Sequence, residues 1–439
     1  MNVFEKTNER LKIIFEDFDN VLVAFSCGKD SGVMLNQAYD YAKQNNLLHK
    51  LAVYYEDYEA GYKYTDEYAE RMFEYLDLER KYWLCLPISA ACSVSMYEPR
   101  WIPWDKDKKD IWVRDMPKYE YVVNEDNCPY EFVKGTKGFD ARIHFSKWFG
   151  AKYGKTAVLI GIRADESLTR RGIFTSQHRK HMHKGLNYSK IVDKNTINFY
   201  PIFDWKTTDI WVGNYKYNWD YNKIYDLYYQ AGLTIDQMRV ASPFHLSGQE
   251  SLKLYKVIDP NNWGKMVGRV NGCNFGGIYG GTSAMAWRNI SKPKHFTWKE
   301  YAEFLMSTLP EKVKKKFEYH LDRYMESWRI KGYGRNPRVI QAIIDHGVEI
   351  ERTGEISKLC KKQDVYEIIR IKGKWADEIN IDNATPFRHC PNWKAVCITI
   401  MKNDFGLTYM SCSRSQDNNL LKTKGLEKYS KLQKQLKTK

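Results

Sequence analysis

The stretch VLVAFSCGKDSGVML, residues 21–35, decides how the chain is read. Val21–Phe25 is an unbroken apolar run, the pattern of a strand covered on both faces. From Ser31 the apolar residues recur at helical spacing, with Val33, Met34, Ala38 and Tyr39 along one side. Ser26-Cys27-Gly28-Lys29-Asp30-Ser31 between them is therefore a strand-to-helix turn. Gly28 is expected to supply a backbone conformation closed to other residues. The first amides of the helix point into such a turn with the positive end of its dipole, which makes an anion site. Ser26 and Ser31 add hydroxyls and Lys29 a mobile charge, while Asp30 either holds the loop through its amides or helps place a magnesium ion. Phosphate suits this chemistry; an ordinary turn with a capping serine is the plainer alternative. Cys27 sits where a thiol pKa would fall, yet packing is its expected role.

Outward from this stretch, LAVYYED (51–57), KYWLCLP (81–87), TAVLIGI (156–162) and the region 196–203 read as further strands. Helical segments at 31–44 and 64–78 alternate with them, the second with Thr65 as its N-cap. Alternation of this kind predicts an α/β domain with a doubly wound, mainly parallel sheet, which binds ligands beyond the carboxyl ends of its strands. Asp57 ends a strand on that edge, where it would bind a ribose hydroxyl or a metal, or cap its own loop. Arg163 and Arg170 follow the 156–162 strand, where guanidinium groups clamp phosphate or sulfate, with Glu166 pairing one of them. Asp204 and Trp205 position a loop before a helix opened by Thr207 or Thr208, and Trp205 and Trp211 have the spacing of core aromatics.

A chain of 439 residues exceeds what one core usually holds, so two domains are expected: 1–235, interrupted at 88–155, and a mainly helical domain at 236–439. Within 88–155, Arg100, Trp101, Trp104 and Arg114 read either as a lid over a substrate base or as a small packed subdomain. In the second domain, CNFGGIYGGTSA (273–284) reads as a glycine-rich loop, and the segments 298–332, 334–350 and 392–404 as helices. No apolar run approaches the roughly 20 residues of a membrane span, and no signal segment opens the chain, so a soluble cytoplasmic protein is expected. The nine cysteines lack any C-x-x-C pair and read as reduced thiols; His389, Cys390 and Cys397 form the one cluster weighed as a zinc set, against incidental cysteines. A net charge of +15, with basic clusters at 178–184, 311–318 and 422–439, attracts polyanions and makes nucleic acid a candidate partner.

The Ser-x-Gly-Lys-Asp-Ser turn closely resembles the PP-loop of N-type ATP pyrophosphatases, in particular the phosphoadenosine phosphosulfate (PAPS) reductase-like branch. Three ordered blocks extend the likeness over about residues 15–235: Asp57 with Thr65; Gly161, Arg163, Glu166, Ser167 and Arg170; and Pro201, Asp204, Trp205, Asp209 and Trp211. The resemblance implies an adenine nucleotide α-hydrolase-like fold. It also implies an adenine nucleotide (ATP, or the sulfonucleotides PAPS or APS) with Mg2+, and adenylyl-, pyrophosphate-releasing or sulfur-transfer chemistry. Lys29, Asp30, Arg163 and Arg170 are then the catalytic candidates. Ser26, Gly28, Lys29, Asp30, Ser31, Asp57, Gly161, Arg163 and Glu166 are the nucleotide-binding ones, with Asp30 the candidate metal ligand. The family's C-terminal Glu-Cys-Gly-x-His segment has no counterpart here, since Cys412 lies in YMSCSRSQ, so PAPS reduction itself is not the expected activity. The C-terminal half resembles an immunoglobulin-binding-regulator-like group of bacteria and phages, often encoded beside a ParB-like protein, which implies a protein partner and a role in DNA regulation or phage–host conflict; the alternative to an enzyme is a non-catalytic, nucleotide-sensing regulator that docks a ParB-like partner or DNA.

Overall fold

The computed structural model describes residues 1–166, 168–175, 181–235, 237–249, 251–286, 290–357, 366–379, 390–407, 409 and 410. Cys360, His389, Cys412, Ser167, the run 178–180 and the tail 422–439 lie outside them. The chain divides into two compact units, one of Met1–Ala91 with Arg100–Asn274, the other of Cys92–Pro99 with Phe275–Lys439.

The first unit is built on β1 (Asn20–Phe25), β2 (Leu51–Glu56), β3 (Arg80–Leu84), β4 (Ala90–Ala91), β5 (Arg100–Trp101), β6 (Val122–Val123), β7 (Thr156–Ile160), β8 (Ser189–Ile191) and β9 (Thr196–Phe199). Seven of these form one sheet in the order β6-β3-β2-β1-β7-β9-β8, while β4 and β5 pair separately. Every neighbour pair in the large sheet is parallel except β8 with β9. Val21 is thus flanked by Leu51 and Ala157, deep in the sheet.

Both sheet faces are covered, which is why β1 is apolar throughout. Val21, Val23 and Phe25 pack with α1 (Val3–Asp17), α2 (Lys29–Gln44) and α3 (Lys63–Tyr75). Leu22, Tyr54 and Val158 pack on the other face against Phe145 and Phe149 of α4 (Gly138–Tyr153). The unit continues through α5 (Leu168–Thr175), α6 (Thr207–Lys216), α7 (Ile224–Gln230), α8 (Tyr255–Ile258) and α9 (Pro260–Arg269). The connection from β1 runs to β2 on one side while β7 adds on the other, so the loop after β1 sits where the strand order reverses.

Several local expectations change. Thr65 does not cap α3: Tyr62 is the N-cap, and the buried Thr65 hydroxyl accepts from Asn222 Nδ2 at 3.0 Å. The insertion after residue 88 adds the edge strand β6 and the helix α4 rather than only interrupting the sheet. Trp101 and Trp104 are buried and Arg114 is held in ion pairs, so these residues form a packed element and not a lid.

The second unit carries α11 (Trp298–Ser307), α12 (Glu311–Ile330), α13 (Pro337–Asp345) and α14 (Trp393–Met401); α10 (Cys273–Tyr279), a helix where a glycine-rich loop was expected, lies at the junction in sequence. Thr297 and Glu300 close a capping box on α11, and Asn392 caps α14 through the Ala395 amide. The expected helix over 334–350 stops at Asp345. Ile350–Ile356 is a strand, β11, which with β10 (Tyr333–Arg335) and β12 (Glu367–Ile371) makes a three-stranded sheet in the order β10-β12-β11. The stop follows Gly347, whose φ of 74° ends the helical backbone. Phe317, Leu321, Trp328, Ile343, Ile369 and Ile398 form this unit's core.

Candidate functional site

The loop after β1 bends where its backbone leaves ordinary geometry. The left-handed residue is Cys27, with φ 57°, not Gly28, whose φ of −82° and ψ of 157° any residue adopts. A buried asparagine fixes the bend: Asn222 Nδ2 donates to the Cys27 carbonyl at 3.1 Å. Cys27 itself is fully buried and its thiol is pushed well up, first by burial and then by Asp66 and Asp57, so packing is its role.

What Gly28 provides is space. A Cβ there would sit 3.5 Å from Ser26 Oγ, 3.7 Å from the Tyr225 hydroxyl and 4.0 Å from Ser31 Oγ. Three hydroxyls thus gather around Gly28 at the start of α2. Gly28 is the N-cap of that helix and gives it no side-chain cap. Ser26 Oγ and Ser31 Oγ lie 2.9 Å apart, Ser31 Oγ donates to the Gly28 carbonyl at 3.1 Å, and the Lys29 amide donates to the Tyr225 hydroxyl at 3.0 Å.

Gly161, at the end of β7, has a different reason to be glycine. A Cβ on it would meet the Asp30 carbonyl carbon and oxygen and Ser31 Cα at 3.0 Å each, so the strand end rests on the first turn of α2. This contact brings the second motif to the loop.

The two arginines divide. Arg163 is 2% exposed; its Nε donates to Asp30 Oδ1 at 2.6 Å, Nη1 to the Trp205 carbonyl at 3.2 Å and Nη2 to Thr207 Oγ1 at 3.1 Å. Its guanidinium is spent on holding Asp30 and the start of α6, which replaces the anion-clamp role expected of it. Asp30 Oδ2 in turn lies 3.2 Å from Lys29 Nζ. Both Asp30 oxygens therefore face cations, so Asp30 serves here as a loop anchor and does not offer a free carboxylate to magnesium. Among the described residues no three His, Cys, Asp or Glu side chains cluster as a metal site. Arg170, half-exposed, is ion-paired with Glu166, whose other oxygen accepts from the Arg163 amide at 3.2 Å.

Asp57 is likewise turned inward. It is 1% exposed, and its carboxylate accepts from Trp83 Nε1 at 2.7 Å and the Glu59 amide at 2.9 Å and pairs with Arg114. It anchors the end of β2 instead of reaching toward a ribose or metal. Asp204 accepts a bidentate pair from Arg10 at 2.6–2.7 Å, Trp205 lies in the core, and Trp211 lines a surface cleft rather than the core. Cys390 and Cys397 are buried with raised thiol pKa values, the first cause in each being burial.

Sequence reasoning missed Asn222 and Tyr225. Each lies some 195 positions from the loop it contacts, and neither type nor spacing marks it in advance.

Residues 139–231 match the model of the phosphoadenosine phosphosulfate reductase domain, and residues 232–420 match a domain of unknown function (DUF3440). The chain is 29% identical over 426 residues to the uncharacterized protein YbdN of Escherichia coli (strain K12), covering 95% of this chain and 92% of that protein. Among solved structures, the phosphoadenylyl-sulfate (PAPS) reductase from Candida auris is similar at 12% identity and a TM-score of 0.29, over 50% of this chain and 84% of that one. The U34-tRNA thiolase NcsA from Methanococcus maripaludis is similar at 12% identity and a TM-score of 0.30, over 61% and 78%. Candida glabrata FMN adenylyltransferase is similar at 13% identity and a TM-score of 0.29, over 51% of this chain and 57% of that one, under two thirds of its length. Part of the first unit, residues 139–231, is thus similar to the phosphoadenosine phosphosulfate reductase domain.

Proposed function

We propose that the loop Ser26–Ser31 holds the phosphates of an adenine nucleotide, and that the chain uses ATP in adenylyl-transfer chemistry that releases pyrophosphate. The observation that carries this reading is the gathering of the Ser26, Ser31 and Tyr225 hydroxyls around Gly28, the N-cap of α2. A phosphate oxygen seated there would meet amide and hydroxyl donors at the positive end of a 16-residue helix. Lys29 would turn from Asp30 to the phosphate, and Arg170, the exposed arginine of the pair, would steady the leaving anion. Arg163 and Glu166 would position these groups without touching the nucleotide. A magnesium ion would enter on the nucleotide's own phosphates and neutralise developing charge.

ATP is preferred over a sulfonucleotide because, among the described residues, thiol chemistry finds little support. Cys27, Cys85, Cys92, Cys128, Cys390 and Cys397 all have thiols raised by burial, and a raised thiol is a poor nucleophile at neutral pH. A net charge of +15 suits an anionic macromolecular partner, nucleic acid or a ParB-like protein with an acidic face.

The test is to purify the chain, denature it and identify released nucleotide by mass spectrometry, then assay pyrophosphate release from ATP. A Lys29→Ala variant, which leaves the Asp30–Arg163 pair in place, should lose the nucleotide and keep its fold. Unchanged retention by that variant would overturn the reading, while bound ATP without turnover would move the function to nucleotide sensing.

A further inference from the structure

A second cavity, of about 740 Å³, opens between α6 and α7, a size that suits a small organic ligand. Its walls are aromatic: Trp211, Tyr215, Tyr221, Tyr225 and Tyr229. Trp211 meets Tyr221 at 5.5 Å and Tyr225 at 5.4 Å, both nearly at right angles, so neither stacks on it in parallel. Asn214 also lines the cavity. It is 5% exposed, and both the oxygen and the nitrogen of its side-chain amide are buried without a hydrogen-bond partner.

A buried primary amide with both ends unpaired is costly, and native proteins rarely keep one idle. Aromatic walls alone would suit a cation as well as a planar ring, but a quaternary ammonium would leave the Asn214 amide unpaired. A nucleobase satisfies both features. Its edge presents a donor beside an acceptor, which a carboxamide reads with two parallel hydrogen bonds, and its faces stack on tyrosine and tryptophan. The carboxylates at the cavity are already engaged: Asp226 accepts from the Tyr221 hydroxyl at 3.0 Å, and Asp220 from Arg71 Nε at 2.8 Å. We propose that the α6–α7 cavity is a nucleobase-binding pocket, in which Asn214 reads the base edge and Trp211 and Tyr229 supply the stacking surfaces, the Tyr221 ring being covered by Lys223 Nζ at 3.7 Å. The pocket shares Tyr225 with the Ser26–Ser31 loop, where its hydroxyl accepts from the Lys29 amide at 3.0 Å, and its remaining walls are its own.

The probe is 5-iodouridine, whose N3–H and O4 form the required donor–acceptor pair and which couples photochemically to aromatic side chains. Irradiation with the full chain, followed by peptide mapping, should label residues 211–238. Asn214→Leu should fold with an equal or higher Tm, since it removes an unpaired buried amide, and should need at least about tenfold more probe for half-labelling. Should Asn214→Leu fail to fold, Tyr229→Ala, at a side chain that is 74% exposed, tests the same pocket through lost stacking, with about a fivefold or greater loss. Lys29→Ala should label as the native chain does, which separates this pocket from the loop. The same base within a single-stranded oligonucleotide labelling more strongly than the nucleoside assigns nucleic acid as its source; the reverse assigns a free nucleoside. Labelling confined to other peptides, labelling that survives substitution in a folded pocket variant, or labelling lost with the loop variant overturns the proposal.

Discussion

Replacing Gly28 with alanine separates folding from ligand binding more sharply than any other change at the loop. The backbone there, φ −82° and ψ 157°, accepts an L-residue without strain. The added methyl would make contacts of 3.5, 3.7 and 4.0 Å to three hydroxyl oxygens, all ordinary packing distances. Reduced chain entropy in the unfolded state favours alanine by roughly 0.4–1 kcal/mol, and its poorer N-cap character offsets a similar amount. Gly28→Ala should therefore unfold within about 1 kcal/mol of the native chain. The methyl does, however, project among these hydroxyls and crowd a phosphate oxygen held by them. Displacing that oxygen forfeits one or two charge-assisted hydrogen bonds, each worth about 1.5–3 kcal/mol. A combined loss near 3 kcal/mol weakens ATP binding by roughly 100-fold. Urea unfolding followed by circular dichroism, beside calorimetric titration with ATP, reads both quantities. A Gly28→Ala chain that binds ATP within threefold of the native one would refute the phosphate cradle; one that fails to fold would refute the geometry assigned to Gly28.

Gly161→Ala should do the opposite, destabilising the first unit by about 1–3 kcal/mol in urea unfolding, because its 3.0 Å contacts are to Asp30 and Ser31 main-chain atoms that cannot yield. Arg163→Met should cost about 3–5 kcal/mol, since Asp30 then keeps only Lys29 and the Trp205 carbonyl and Thr207 hydroxyl lose a donor; an unfolding midpoint unchanged from native would contradict the anchoring role. Burial pushes the Asp66 carboxyl above its ordinary value, against the opposing pull of Arg114, whose Nε lies 2.8 Å away. A carboxyl raised in the folded state makes stability fall as pH rises above the ordinary carboxylate range. Asp66→Asn should flatten that slope, measured as unfolding free energy at several pH values.

The parallel sheet and its first loop were legible because their signals are local. An apolar run of strand length, a small polar turn and a helical repeat occupy only residues 21–44, and each is dictated by neighbours a few positions away. The same holds for the strands at 51–56 and 156–160, whose burial on both faces requires continuous apolar sequence. The antiparallel strands of the second unit were not legible. Ile350–Ile356 carries Glu351, Arg352, Thr353 and Glu355 on a half-exposed edge strand, and so lacks the apolar run that marks a covered strand. Helical periodicity in the preceding Pro337–Asp345 segment masked the change.

Sequence by itself therefore determined which residues gather at the carboxyl edge of the sheet, because the order of strands, turns and helices follows from short-range pattern. Only the tertiary structure decided what those residues do. Arg163 meets Asp30 across 133 positions and becomes an anchor, Asp57 is sealed inside by Trp83 and Arg114, and the Tyr225 hydroxyl arrives at the loop from 196 positions away. A charged side chain carries the same chemistry in any sequence, but whether it faces a ligand or a buried counter-ion depends on which distant group the fold places within about 3 Å of it.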